Sequence, residues 1–181
     1  MQELKDYILV WDVLPVELCD EIIQETDIEM YWTPATAHSD YRSKYRNCNA
    51  LSLDLFKNGM YKELLHDYVI RCISIYQNKY GYPSPKVILN MDLLRYKKGE
   101  YYKKHVDNHT NTVFPRYLSL IFILNDDYEE GSLTFFPDTN YSLDIKATKG
   151  QVVIFPSNFM FPHRVNEVTK GTRYSIVSWV S

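Results

Sequence analysis

The sequence predicts an α+β fold that is mainly β: a double-stranded β-helix, or jelly roll, with N-terminal helices bracing one of its sheets. Three observations predict it. Two segments in the first half carry apolar residues at helical spacing, while everything after Pro85 breaks into short β-type runs separated by turns. Aromatic residues make up 15% of the chain, with sixteen Tyr, and Tyr, Phe and β-branched side chains favour pleated, half-buried surfaces. Helices followed by a succession of short strands form the pattern of an antiparallel double sheet with helices on one outer face.

Residues 7–13 read as a first strand. A helix then starts at Leu14-Pro15, with Val16, Cys19, Ile22 and Ile23 at helical spacing. Residues 30–51 are polar and aromatic, contain Pro34, and are expected to form a long loop, serving either as a binding lid or as a surface excursion. A second helix is expected over 59–80. Its stripe of Leu64, Leu65, Tyr68, Val69, Cys72, Ile73 and Tyr76 faces a core, and Gly81-Tyr82-Pro83-Ser84-Pro85 ends it. The expected strands are 87–96, 101–105, 117–125, 133–136, 142–145, 151–155 and 173–180. No repeat or linker interrupts the chain, so one domain over 1–181 is expected, with a helical part at about 14–80 and a jelly-roll core at about 86–181.

Composition excludes several classes. A net charge of -3 gives no basic field for a phosphate backbone, so no nucleic-acid partner is expected. Cys19, Cys48 and Cys72 form no CxxC pair and suggest neither a zinc cage nor a disulfide framework. The first residues read as a strand rather than a leader, and no run approaches the roughly 20 apolar residues of a membrane span. No membrane partner and a cytoplasmic setting are the corresponding expectations.

The chain has five histidines: His38, His66, His105, His109 and His163. In His105-Val106-Asp107 an imidazole and a carboxylate stand two residues apart, and in a strand such residues point to the same face. One imidazole from a neighbouring strand would complete a facial triad of two His and one carboxylate, which leaves open positions on an octahedral iron(II). The triplet alone is short and equally compatible with a surface pair. The candidate for that imidazole is His163, which enters a strand from the Pro-bounded turn Phe161-Pro162-His163; His109 would replace His105 if the strand register shifted. Ten residues after His163, Arg173 sits among Tyr174, Ile176, Val177, Trp179 and Val180. An arginine inside such a strand must be paired, either with an internal Asp or Glu or with a ligand carboxylate, which a guanidinium matches with two parallel donors. Both readings stand on chemistry alone.

The block from Leu94-Arg95-Tyr96 through Tyr102 to His105-Val106-Asp107, followed by Arg116 to Asn125, Glu130 to Pro137, and the stretch from Lys149-Gly150 through His163 and Arg173 to Trp179, resembles the prolyl 4-hydroxylase branch of the 2-oxoglutarate/Fe(II) oxygenases. The resemblance covers nearly the whole chain, with its motifs in order. It implies His105, Asp107 and His163 as iron ligands and Arg173 as the partner of the distal carboxylate of 2-oxoglutarate, where many relatives have Lys. Tyr96 matches a tyrosine lining the co-substrate pocket. Thr134 matches a hydroxyl that binds the same carboxylate, beside its plainer reading as a β-former. Arg116 and Trp179 match positions at the substrate mouth, with strand-end charge and core packing as their alternatives; Tyr102 reads as a packed aromatic. Gly131-Ser132 stands where relatives have two glycines, and Ile123 replaces a tyrosine of some relatives.

The implied cofactors are Fe(II), 2-oxoglutarate and O2, with ascorbate as the reductant that rescues oxidised iron. The implied reaction is hydroxylation of a C–H bond with release of succinate and CO2. Its leading substrate is a prolyl residue of a peptide or protein, a proline-rich segment being one form. Lysyl residues, free amino acids or small molecules are the alternatives within the same chemistry, and a non-catalytic metal-binding jelly roll or a plain β-sandwich lies outside it. Residues 30–51 and 106–115 are the candidate substrate lids.

Overall fold

The computed structural model describes residues 3–37, 40–41, 44–81, 87–108 and 114–181. The first half holds β1 (Leu9–Asp12), α1 (Val16–Thr26), β2 (Thr33–Pro34), β3 (Thr36–Ala37), β4 (Asp40–Tyr41), β5 (Arg46–Asn47), β6 (Asn49–Ser52) and α2 (Met60–Tyr80). The second half continues with β7 (Ile88–Lys97), β8 (Tyr101–His105), β9 (Leu118–Ile123), β10 (Glu129–Glu130) and β11 (Leu133–Phe135). It ends with β12 (Leu143–Ile145), β13 (Gln151–Pro156), β14 (His163–Val165), β15 (Val168–Lys170) and β16 (Thr172–Val180).

Two antiparallel sheets carry the architecture. The larger runs β1-β13-β9-β16-β7-β6-β2 and the smaller runs β12-β11-β14-β8-β5. Side-chain alternation along the larger sheet sorts residues between two cores. Leu118, Leu120 and Phe122 of β9, Val152 and Ile154 of β13, and Tyr174, Ile176 and Val180 of β16 pack on the helices together with Cys19, Ile22, Leu65, Val69, Cys72 and Tyr76. Ile121, Ile123, Val153, Phe155, Val177 and Trp179 point the other way and meet Leu133, Phe135 and Val165 of the smaller sheet. The predicted mainly-β jelly roll with helices on one sheet is the observed fold, and both predicted helix stripes are core, apart from Val16 and Leu64, which are exposed. All three cysteines are buried and free.

The segment at 30–51 departs from expectation. Instead of one long loop it contributes strands to both sheets: β6 pairs with β7, placing Ala50 opposite Leu94, while β5 pairs with β8, placing Arg46 opposite Tyr102. Its strands are two to four residues long, too short for alternation to show in the sequence. The sheets therefore recruit strands from before residue 86, including β1 at one edge.

The junction between β1 and α1 is seated on one glycine. The carbonyl oxygen of Gly150 accepts from the backbone N–H of Val13 at 3.0 Å and of Leu14 at 2.9 Å. Gly150 has φ +86°, and a Cβ there would lie 2.7 Å from the Leu14 carbonyl oxygen. Gly150→Ala combines a left-handed backbone strain of about 1–3 kcal/mol with that clash. Chemical denaturation should show a loss of at least this order; unchanged stability would mean that the α1 junction shifts freely.

Candidate metal centre

The two histidines meet because of strand register. β14 pairs with β8 so that His163 and His105 are directly opposite, and their ring centroids lie 4.2 Å apart. Asp107, just past the end of β8, returns its carboxylate to the same point. Its Oδ1 lies 3.4 Å from His105 Nε2 and 3.7 Å from His163 Nε2, and one ligand atom from each of the three residues lies within 4.8 Å of the others. His163 is 2% exposed, with Phe135 and Phe155 packed on its ring at 5.5 and 4.8 Å. The Tyr102 ring stacks on His105 at 3.5 Å.

Backbone carbonyls select the tautomers. His105 Nδ1 lies 2.8 Å from the Lys103 carbonyl oxygen and His163 Nδ1 lies 3.1 Å from that of Phe161. A carbonyl only accepts, so each Nδ1 carries the proton and each Nε2 presents a lone pair to the centre. Burial, reinforced by the neighbouring His105, pushes the His163 imidazole down to about 4, which keeps it neutral, as a ligand must be. Burial alone would raise Asp107, but the charge that His163 or His105 carries when protonated, together with the Ser119 hydroxyl, outweighs it and holds the carboxyl well below the usual range. Two neutral imidazoles and one ionised carboxylate fit a divalent first-row metal, iron(II) among them.

A cavity of about 270 Å³ opens beside the triad and is lined in its depth by Tyr96, Leu133, Val165, Arg173 and Ser175. Arg173 is directly opposite Tyr96 across β16 and β7, and its guanidinium lies 5.4 Å from the Tyr96 ring centroid. It is 2% exposed. Its Nη1 donates to Ser175 Oγ at 2.7 Å, while its Nε and the Tyr96 hydroxyl find no hydrogen-bond partner among the described residues. Burial pushes the Tyr96 phenol well above its usual range, leaving it a neutral donor. A buried cation and a neutral hydroxyl facing one cavity fit a carboxylate, and no acidic side chain of the described residues is bonded to Arg173.

At the mouth, the Arg116 guanidinium stacks on Trp179 at 3.6 Å and its Nη1 donates to the Asp107 carbonyl oxygen at 3.1 Å. Both residues line the cavity, together with Arg46, Asp92 and Tyr102. Thr134 is placed otherwise than expected. On β11 it points away from the cavity, where its hydroxyl bonds the Asp144 carboxylate and accepts from Asn166 Nδ2. Alternation gives the cavity-facing place to Leu133 instead. His38 and His109 lie outside the described residues, and His66 is exposed on α2, 3.5 Å from Asp67.

Sequence reasoning missed Ser119, Ser157, Ser175 and Arg46. Ser175 stands two residues from Arg173 and Ser119 two from Ile121, so strand alternation could have placed both on the inner face. Arg46 carried no such signal, because its strand is two residues long.

Two imidazoles and one carboxylate gathered between the sheets of a jelly roll define a class of protein, the mononuclear oxygenases that hold iron on a facial triad. The comparison with known proteins makes the assignment specific: the chain belongs to the 2OG-Fe(II) oxygenase superfamily, whose family model matches residues 91–181. That match contains the triad and Arg173. Among curated proteins, the PKHD-type hydroxylase IL0759 of Idiomarina loihiensis is 32% identical over 98 residues, covering 53% of this chain and 44% of that protein. The PKHD-type hydroxylase PsycPRwf_1523 of a Psychrobacter species is 38% identical over 104 residues, covering 53% and 39%. The chain thus spans less than half the length of these two relatives. Among solved structures, a Pseudomonas putida prolyl-4-hydroxylase superposes with a TM-score of 0.74 at 19% identity, over 96% of this chain and 92% of that one. The viral collagen prolyl hydroxylase of Paramecium Bursaria Chlorella virus-1 gives 0.71 at 21%, over 96% and 95%. At such identities the likeness carries the fold.

Arg173 is a buried cation with no carboxylate partner among the described residues, an arrangement that costs stability. Arg173→Met should therefore stabilise the ligand-free chain by roughly 0.5–2 kcal/mol in urea unfolding. Destabilisation would show that the guanidinium is fully satisfied by the protein itself.

Proposed function

We propose that this chain is an Fe(II)- and 2-oxoglutarate-dependent dioxygenase that hydroxylates a C–H bond, with prolyl residues of a peptide or protein as its substrate class. One observation carries the reading: the incompletely satisfied guanidinium of Arg173 lies in the same cavity as the triad. That cavity can hold a short dicarboxylate with one end at the metal and the other on the arginine. The kinship to PKHD-type hydroxylases and the prolyl hydroxylase fold support the substrate class. So does a structural neighbour from Trichoplax adhaerens, a prolyl hydroxylase in complex with a peptide fragment of hypoxia inducible factor.

Each residue then has a role. His105, Asp107 and His163 would hold the iron, which supplies when bound the O2 chemistry: oxidative decarboxylation of 2-oxoglutarate coupled to insertion of one oxygen atom into a C–H bond. The balance is 2-oxoglutarate, O2 and substrate in; succinate, CO2 and hydroxylated substrate out. Arg173 pairs with the distal carboxylate, with the Tyr96 hydroxyl as a further donor to it and Ser175 orienting the guanidinium. Leu133, Val165 and Ile121 keep water from the co-substrate. Arg116 and Trp179 form a flat cationic and aromatic wall at the mouth, against which a substrate ring or peptide backbone packs. Ascorbate is the reductant that restores the iron after turnovers without substrate.

The test is succinate release from 2-oxoglutarate with Fe(II), with and without a proline-containing peptide, and a mass gain of one oxygen on the peptide. Stimulation with the mass gain supports the whole reading; turnover without stimulation overturns the prolyl assignment, and no turnover overturns the enzyme. Asp107→Ala should abolish turnover. Arg173→Ala should raise the 2-oxoglutarate requirement about tenfold to a hundredfold, the worth of a charged hydrogen bond of roughly 1.5–3 kcal/mol; an unchanged requirement would place the carboxylate elsewhere.

A further inference from the structure

Resting on the metal-centre reading, we infer that Ser119 and Ser157 are positioning residues that decide which oxygen of Asp107 faces the iron. Ser119, on the inner face of β9, is 0% exposed, and Ser157, just past β13, is 1% exposed. Ser119 Oγ lies 2.6 Å from Asp107 Oδ2, and Ser157 Oγ lies 2.8 Å from Ser119 Oγ. The direction of this chain is forced. An ionised carboxylate only accepts, so the single Ser119 proton goes to Oδ2, and Ser119 Oγ must accept the proton of Ser157. The relay runs Ser157 to Ser119 to Asp107, and each bond strengthens the next in a buried setting.

The consequence is a division of labour between the carboxylate oxygens. Oδ2 is occupied by the relay, while Oδ1 is the oxygen close to both His Nε2 atoms, at 3.4 and 3.7 Å. A carboxylate so held presents one oxygen to a metal rather than two. With two imidazoles that would make three protein ligands, and an octahedral iron would keep three positions for other ligands. If Asp107 rotated to bind through both oxygens, it would occupy one of those positions. Backbone contacts close the clamp: the Asn108 N–H donates to the Ser157 carbonyl at 2.9 Å, and the Ser157 N–H donates to that of Tyr117 at 2.9 Å. The backbone at Asn108, next to Asp107, is therefore tied to the residue after β13, which is itself tied to the residue before β9, and the relay acts on a carboxylate whose neighbouring backbone is held.

The experiment titrates Mn(II) into the metal-free full chain by calorimetry, for wild type, Ser119→Ala, Ser119→Thr, Ser157→Ala, the double alanine variant and Asp107→Ala. Removing an outer partner of a metal ligand typically weakens binding about 10–100-fold, and this is the loss expected for Ser119→Ala. Ser119→Thr keeps the hydroxyl and should restore affinity. Ser157→Ala should weaken binding less, and the double variant no more than Ser119→Ala, because Ser157 acts only through Ser119. Wild-type affinity in Ser119→Ala, or Thr as weak as Ala, overturns the relay. Should Ser119→Ala fail to fold, Ser157→Ala decides, and unchanged affinity there overturns it. Wild-type affinity in Asp107→Ala is a different failure, since it removes the metal centre itself.

Discussion

The direct opposition of His163 and His105 across β14 and β8 is the constraint on which the rest of this structure depends. The two residues are far apart in the chain, and only register brings their rings to 4.2 Å. Because side chains alternate along a strand, a slip of one residue would turn either imidazole to the other face. The surroundings hold the register: Phe135, opposite His163 on β11, packs on its ring, and Tyr102 covers His105. Aromatic bulk on both sides of the centre also removes water, which keeps the His163 imidazole neutral and makes every charge contact inside stronger.

A second constraint is the burial of Arg173. Desolvating a guanidinium is costly, and the chain meets part of that cost with Ser175 and the Tyr96 ring. The arginine cannot swing out, because β16 is an inner strand between β9 and β7 and its other face is locked to the helices by Tyr174, Ile176 and Val180. The helices thus act on function from a distance. They carry no chemistry, yet they anchor the sheet whose inner face presents Arg173, Ser175 and Trp179. Gly131 belongs to the same arrangement, since a Cβ there would meet Val168 at 2.9 Å and Arg173 Cδ at 3.4 Å. A glycine at that turn leaves room for the Val168 side chain that packs beside the arginine.

Much of this was legible beforehand, and the reason is periodicity. The α2 stripe of Leu65, Val69, Cys72, Ile73 and Tyr76 and the alternation of β16 are long enough to declare their type and their buried face. His105 and Asp107, two apart, pointed to one site, and Arg173 in an apolar strand announced a buried charge. Where elements are short, the signal failed. The strands within 30–51 were invisible, so Arg46 at the cavity was missed. Thr134 was expected in the pocket by analogy of position, but β11 turns its hydroxyl to Asp144 and Asn166 and leaves Leu133 facing inward.

Taken by itself, the order of residues determined the classes of element, the apolar faces that must be covered, and His105, Asp107, His163 and Arg173 as the candidate groups for a metal and a carboxylate. Those are local properties, set by period and by side-chain chemistry. The tertiary structure alone decided which groups meet: that β14 lies beside β8, that no acidic side chain of the described residues bonds Arg173, and that two serines from separate strands converge on one carboxylate. Such facts depend on register and on which strands become neighbours, and neither is encoded in any single stretch of chain.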